Sequence, residues 1–161
     1  MAELVNGRLE ILPMPNLKHQ RILKMLFGLL ETAAPPQSLV LFAPLPTKLF
    51  PGTIREPDLI YISPENLPPH DAEYPDRIDL AMEIVSDGTE ARKRDYEDKR
   101  LDYAKAGVAE YCIVDPRDLV VTVLVLMGEQ YVEQGRFVSG QTANGKLLSN
   151  LRVDVAALMR A

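Results

Sequence analysis

Leu80-Ala81-Met82-Glu83-Ile84-Val85 is an apolar run with one acid inside it. Ser86-Asp87-Gly88-Thr89 reads as a turn, 90–106 as a charged helix ended by Gly107, and Glu110-Tyr111-Cys112-Ile113-Val114-Asp115 as a second buried strand. An unpaired carboxylate inside a buried strand is costly, so a partner for Glu83 is expected elsewhere in the chain.

Working outward, Asn6-Gly7 between two short alternating runs predicts an N-terminal β-hairpin. Pro13-Met14-Pro15 breaks the strand, Asn16 is a helix cap, and Ile22, Leu23, Leu26, Leu29 and Leu30 give 17–32 an apolar stripe at helical spacing. Strands are predicted at 38–43, with a resumption at 47–50, and at 59–62 directly after Arg55-Glu56-Pro57-Asp58. Residues 63–76 carry four prolines and read as an exposed loop. After the central stretch come a valine-rich strand at 119–127, a turn at Gly128-Glu129, short strands at 130–133 and 135–138, and a terminal helix at 153–159. The pattern predicts an α/β fold in a single domain, 1–161: a central mixed β-sheet flanked by helices, with an N-terminal hairpin and a C-terminal β-meander.

Composition narrows the function. The chain has 161 residues, 47% hydrophobic and 25% charged, as expected of a soluble globular protein. No long apolar run or signal peptide is read, and the single cysteine, Cys112, excludes an internal disulfide and a cysteine-rich zinc site. A cytoplasmic location is expected. A net charge of -5 means that nucleic-acid binding would rest on a local basic patch or on metal ions that offset the acids.

Asp58 heads one buried strand and Glu83 sits inside another. On neighbouring strands they would suit a hard divalent cation such as Mg²⁺; alone, Asp58 after a proline is also an ordinary turn former. If Tyr96 centres the inward face of the helix, Lys99 and Tyr103 fall close to it. Lys99 then faces Glu83, as a plain ion pair, as a stem lying on apolar surface, or as a catalytic group. Asp95 and Lys99 are i,i+4 neighbours, which helix support alone can explain. Arg92, Lys93 and Lys105 read as solvated, and His19 as a solvated or capping residue.

These residues carry a resemblance. Glu3-Leu4-Val5-Asn6-Gly7-Arg8-Leu9, Pro13-Met14-Pro15, His19-Gln20, Arg55-Glu56-Pro57-Asp58-Leu59, Glu83-Ile84-Val85-Ser86, Arg94-Asp95-Tyr96 with Lys99-Arg100, Gly107-Val108 and Glu110-Tyr111 with Ile113-Val114-Asp115-Pro116 stand in an order and spacing that resembles the bacterial Uma-two family of proposed restriction endonucleases, in the PD-(D/E)xK nuclease superfamily. The resemblance implies a restriction-endonuclease-like core and Mg²⁺- or Mn²⁺-dependent hydrolysis of DNA phosphodiester bonds. Pro57-Asp58 and Glu83 match the superfamily's acids. Val85 stands where its lysine would be, and the family pattern puts that lysine on the following helix, at Lys99. It implies Asp58, Glu83 and Lys99 as catalytic, with Asp58, Glu83 and the Ile84 carbonyl as metal ligands. Glu3, His19, Arg94, Asp95 and Arg100 would line the cleft or hold DNA phosphates. Cys112 replaces the tryptophan usual in relatives and reads as core packing. The partners expected are DNA and a second copy of the chain, with 120–126 as the contact strand. The alternative is a catalytically idle fold used as a binding or regulatory module.

Overall fold

The structure, a computed structural model, describes residues 2–161. The N-terminal hairpin forms as the Asn-Gly signal predicts: β1 (Ala2–Val5) and β2 (Arg8–Ile11) pair antiparallel, with Asn6 and Gly7 both at positive φ. Helix α1 (Leu17–Ala33) starts where the Asn16 side chain accepts the His19 backbone N–H. Its apolar stripe is buried at Ile22, Leu23, Leu26 and Leu30. Each such side chain contributes roughly 1.5–3 kcal/mol when fully buried.

The strand predicted to resume at 47–50 belongs to a different sheet. β3 (Leu39–Phe42) is central-sheet, whereas β4 (Thr47–Phe50) pairs with β5 (Thr53–Arg55), and β5 in turn with β1, giving a small sheet ordered β2-β1-β5-β4. Pro44 and Pro46 separate β3 from β4 and free the chain to change sheets. After β5 the chain passes through Glu56-Pro57-Asp58 into β6 (Leu59–Ile62) and so crosses back to the central sheet.

That sheet adds β7 (Leu80–Ile84), β8 (Glu110–Asp115), β9 (Val120–Met127) and β10 (Gln130–Val138), in the order β10-β9-β8-β7-β6-β3. β7 and β8 are parallel and the other pairs antiparallel, so the sheet is mixed and β8-β9-β10 form the expected meander. The two short strands predicted at 130–138 are one strand with a bulge between Glu133 and Gly135. A Cβ at Gly135 would stand 2.6 Å from the Phe137 ring, which explains the glycine. Two further short strands, β11 (Thr142–Ala143) and β12 (Val153–Asp154), pair with each other, so the terminal helix α4 starts two residues later than predicted, at Val155–Met159. β9 lies inside the sheet with 120–124 buried and Val125 and Leu126 half-buried, so most of the 120–126 strand expected as a contact surface is spent on the core.

Period-two alternation sorts the core into two layers. Leu80, Met82 and Ile84 of β7, with Leu59, Tyr61, Cys112 and Val114, pack against α1 and α4. Ala81, Ile60, Tyr111 and Ile113 face the other way, onto Tyr103 and Val108. Glu83 has the parity of Ala81 and therefore lies on this second side.

The crossover between β7 and β8 is not one regular helix. It runs as α2 (Thr89–Lys93), a π-turn at Arg94–Asp98, and α3 (Lys99–Lys105), with the Lys99 N–H donating to the Arg94 carbonyl five residues back. The buried residues are Ala91, Asp95, Lys99 and Tyr103, four apart throughout. On a 3.6-residue helix that spacing drifts by about 120° over three steps, and the wider π-turn takes up the drift. The inward face is thus centred on Lys99, while the Tyr96 hydroxyl reaches Asp115 at its edge. Of the three helix cations expected in solvent, Lys93 and Lys105 are exposed, Lys105 lying 4.0 Å over the Phe50 ring, whereas Arg92 is half-buried and pairs with Asp115 and Asp118.

Candidate active site

In the β6–β7 ladder Leu59 stands opposite Met82, so the next step outward sets Asp58 opposite Glu83. Directly opposed residues point to the same face. Asp58 is not a free turn former. Its Oδ2 accepts the Ile84 backbone N–H at 2.8 Å and lies 3.1 Å from His19 Nε2. His19 is neither solvated nor spent on capping: its backbone satisfies the cap, and its buried ring is left for Asp58.

Glu83 is 3% exposed and finds two partners. Lys99 Nζ lies 2.7 Å from Glu83 Oε1, and the Tyr103 hydroxyl donates to the same oxygen at 2.6 Å. Lys99 Nζ is also 3.2 Å from Glu3 Oε1 and 3.9 Å from Asp95 Oδ1. One ammonium therefore meets acids from β1, β7 and its own helix. Asp95 is steadied in turn by Arg94 Nε at 3.3 Å, and its carbonyl accepts the Tyr111 hydroxyl at 2.7 Å.

A cavity of about 30 Å³ brings most of the expected residues together: Asp58, Glu83, Ile84, Lys99, Asp95, Arg94 and His19 all line it. Glu3 does not. It lies behind Lys99, where Arg55 holds its other oxygen at 2.7 Å and the Glu56 N–H donates to Oε1 at 2.9 Å. Arg100 does not join either. One residue past Lys99 is about 100° round the helix, and its guanidinium donates to the Tyr131 carbonyl at 3.0 Å.

Sequence reasoning passed over Arg55 and the Tyr103 hydroxyl as partners. Arg55 is 1% exposed and bridges Glu3 to Asp102, whose Oδ2 accepts from Nε at 2.9 Å and from a terminal nitrogen at 2.6 Å. This ties the small sheet to α3 directly beneath Lys99. Arg55 does stand in the quoted family stretch, but a three-residue strand has too little length to show which way it faces.

The electrostatics follow from burial. Burial pushes the Glu83 carboxyl up to about 8; Lys99 pulls the other way, and Asp58, Asp95 and Glu3 add to the rise. Burial works against the Lys99 ammonium, but the surrounding carboxylates, Glu83 first, outweigh it and raise its pKa. Burial also lifts Asp95 against the pull of Lys99 and Arg94. An acid whose folded pKa lies above its unfolded one binds more protons folded than unfolded, so stability falls as pH rises across the interval. For Glu83 that interval runs from 4.5 to about 8. Lys99, raised above 10.5, loses its contribution only beyond that value and leaves this window alone. In metal-free buffer the melting temperature is expected to decline across the Glu83 window, and Glu83→Gln to flatten the decline. An equal slope in both proteins would contradict the assignment.

The donor set suits a hard cation. Asp58 Oδ1 and Glu83 Oε2 take no hydrogen bond from the described residues, and Glu56 Oε2, on the same cavity wall, is buried without a partner. Among the described residues no three His, Cys, Asp or Glu side chains converge into a full cage. Mg²⁺ does not need one, since it commonly keeps one or two carboxylates, several waters and substrate phosphate.

The architecture recurs in a crystal structure of a "putative nuclease belonging to DUF820" from Anabaena variabilis ATCC 29413. The TM-score is 0.76 at 17% identity, covering 99% of this chain and 89% of that one, a likeness that speaks to the fold. No curated protein matches the chain. The family model described as "Uma2: Putative restriction endonuclease" matches residues 1–156. With nearly its whole length accounted for, the chain belongs to the Uma2 family.

Proposed function

We propose that the chain is a metal-dependent DNA endonuclease with a restriction-endonuclease-like core. One observation carries the reading: an ammonium brought in on a separate helix lies 2.7 Å from Glu83, in a cavity that Asp58 also lines. An isolated structural ion pair would not need a second carboxylate opposite the first, nor unpartnered oxygens on the cavity wall.

Asp58, Glu83 and the Ile84 carbonyl would hold Mg²⁺ or Mn²⁺. Such an ion, when bound, neutralises the scissile phosphate and lowers the pKa of a coordinated water. Lys99 orients the attacking water or meets the charge that builds on the phosphoryl oxygens. Tyr103 and Glu3 hold Lys99 and Glu83 in register, and the Ile84 N–H and His19 fix the Asp58 carboxylate through Oδ2. One such centre cuts one strand, so we read the unit that cuts both as a homodimer.

Supercoiled plasmid tests this. Wild type is expected to nick it in Mg²⁺ or Mn²⁺, to stop in EDTA, and to lose nicking on Asp58→Ala. Intact plasmid with wild type in both metals, or equal nicking by Asp58→Ala, would overturn the reading and leave the idle binding module as the account of this fold.

A further inference from the structure

A second, much larger groove of about 420 Å³ opens from the candidate active site and shares Pro13, His19, Ile84 and Ser86 with it. Its floor is the carboxyl end of the two parallel strands: Ile84 ends β7 and 85–88 follow it, and Asp115 ends β8 and 116–117 follow it. Crevices outside the carboxyl ends of parallel strands are where α/β sheets usually take ligands. The start of α1 forms the opposite wall.

The groove's charge departs from that of the chain. Lys18, Arg92 and Arg117 line it against Asp87 and Asp115, in a protein of net charge -5. Asp115 is fully engaged: it pairs with Arg92 and accepts the Tyr96 hydroxyl and the backbone N–H groups of Arg117 and Asp118. Those bonds build the turn that presents Arg117. The Arg117 side chain makes no ion pair or hydrogen bond with the described residues, and Lys18 has only a long bond, 3.4 Å, to the Pro116 carbonyl. Two exposed cations from opposite walls are thus left over at the mouth of the groove.

We propose that this groove seats the sugar-phosphate backbone of the DNA strand beside the cut position, with Lys18 and Arg117 neutralising phosphates. The inference rests on the nuclease reading for the polarity of the substrate, but it concerns residues outside the cation site. Phosphate contacts of this kind set position and affinity without reading sequence.

The test is DNA binding in EDTA, where nothing is cut, with a labelled duplex followed against salt. Each lost phosphate contact lowers the slope of log affinity on log salt by about one. Lys18→Ala with Arg117→Ala is expected to lower the slope by about two and weaken binding roughly tenfold at low salt. Lys24→Ala with Arg152→Ala, exposed cations lining neither cavity, serves as the control and is expected to change neither. An unchanged slope in the first double variant, or no binding by wild type, would overturn the groove assignment. A slope that falls by two while plasmid is never nicked would keep the groove and sink the cutting reaction.

Discussion

Lys99→Met is expected to slow single-turnover DNA cleavage by about 10²–10³, the usual loss when one preorganised charge is removed from a transition state. Methionine keeps the length of the stem in a site that is 2% exposed, but it takes the shared ammonium from Glu3, Glu83 and Asp95 and so costs stability; the rate is therefore compared below the variant's own unfolding transition. A second effect has a definite sign. Lys99 is the group that pulls the Glu83 pKa down, so its removal lifts that pKa beyond about 8. Cation binding already displaces a proton from Glu83 at neutral pH, and in the variant that proton is held more tightly, so half-saturating Mg²⁺ rises. Raising the pH recovers half-saturation but not the rate. If Lys99→Met cleaves at the wild-type rate once Mg²⁺ is saturating, Lys99 is a structural ion-pair partner and nothing more.

Arg55→Ala is expected to destabilise the protein by about 3–5 kcal/mol, measured by urea unfolding. The change takes one of two cations from Glu3, which is 1% exposed, and leaves half-buried Asp102 without its partner, adding uncompensated negative charge beneath the active site. Glu3 loses one of the three groups that hold it ionised. Burial raises its pKa, but Lys99, the Glu56 N–H and Arg55 together bring it below 4.5. A lowered acid stabilises the fold above its unfolded pKa, and that contribution is lost as pH falls through the folded value. Arg55→Ala should therefore also weaken the acid-side dependence of stability below 4.5. Removing the charges together, as Arg55→Met with Glu3→Gln and Asp102→Asn, should recover most of the loss, because the desolvation cost goes with them. A loss below about 1 kcal/mol for Arg55→Ala would put this network among pairs of little consequence.

What could be read in the sequence divides along physical lines. Glu83 was legible because an acid in a buried strand demands a partner, and Lys99 because helical spacing aimed it inward. The pairing of Asp58 with Glu83 needed only that two strands separated by one loop be neighbours, which β6 and β7 are. The central sheet, hairpin and meander followed from alternation and turn residues. What escaped was set by tertiary contact. The π-turn at Arg94–Asp98 has no compositional mark, so the inward face was centred on Tyr96 rather than Lys99. His19 lacked a partner until α1 was laid beside the mouth of β6. Arg55 sits on a strand of three residues, too short for periodicity to show its direction. Arg100, grouped with Lys99 by sequence, is turned away by the helix itself.

The central claim is that Asp58 and Glu83 hold a cation that phosphodiester cleavage requires. The rate of plasmid nicking against Mg²⁺ concentration, for wild type and Glu83→Gln side by side, tests it most directly. A saturable rise for wild type and a flat baseline for the variant is the predicted result. Coincident curves, or cleavage by wild type that ignores Mg²⁺, would contradict it.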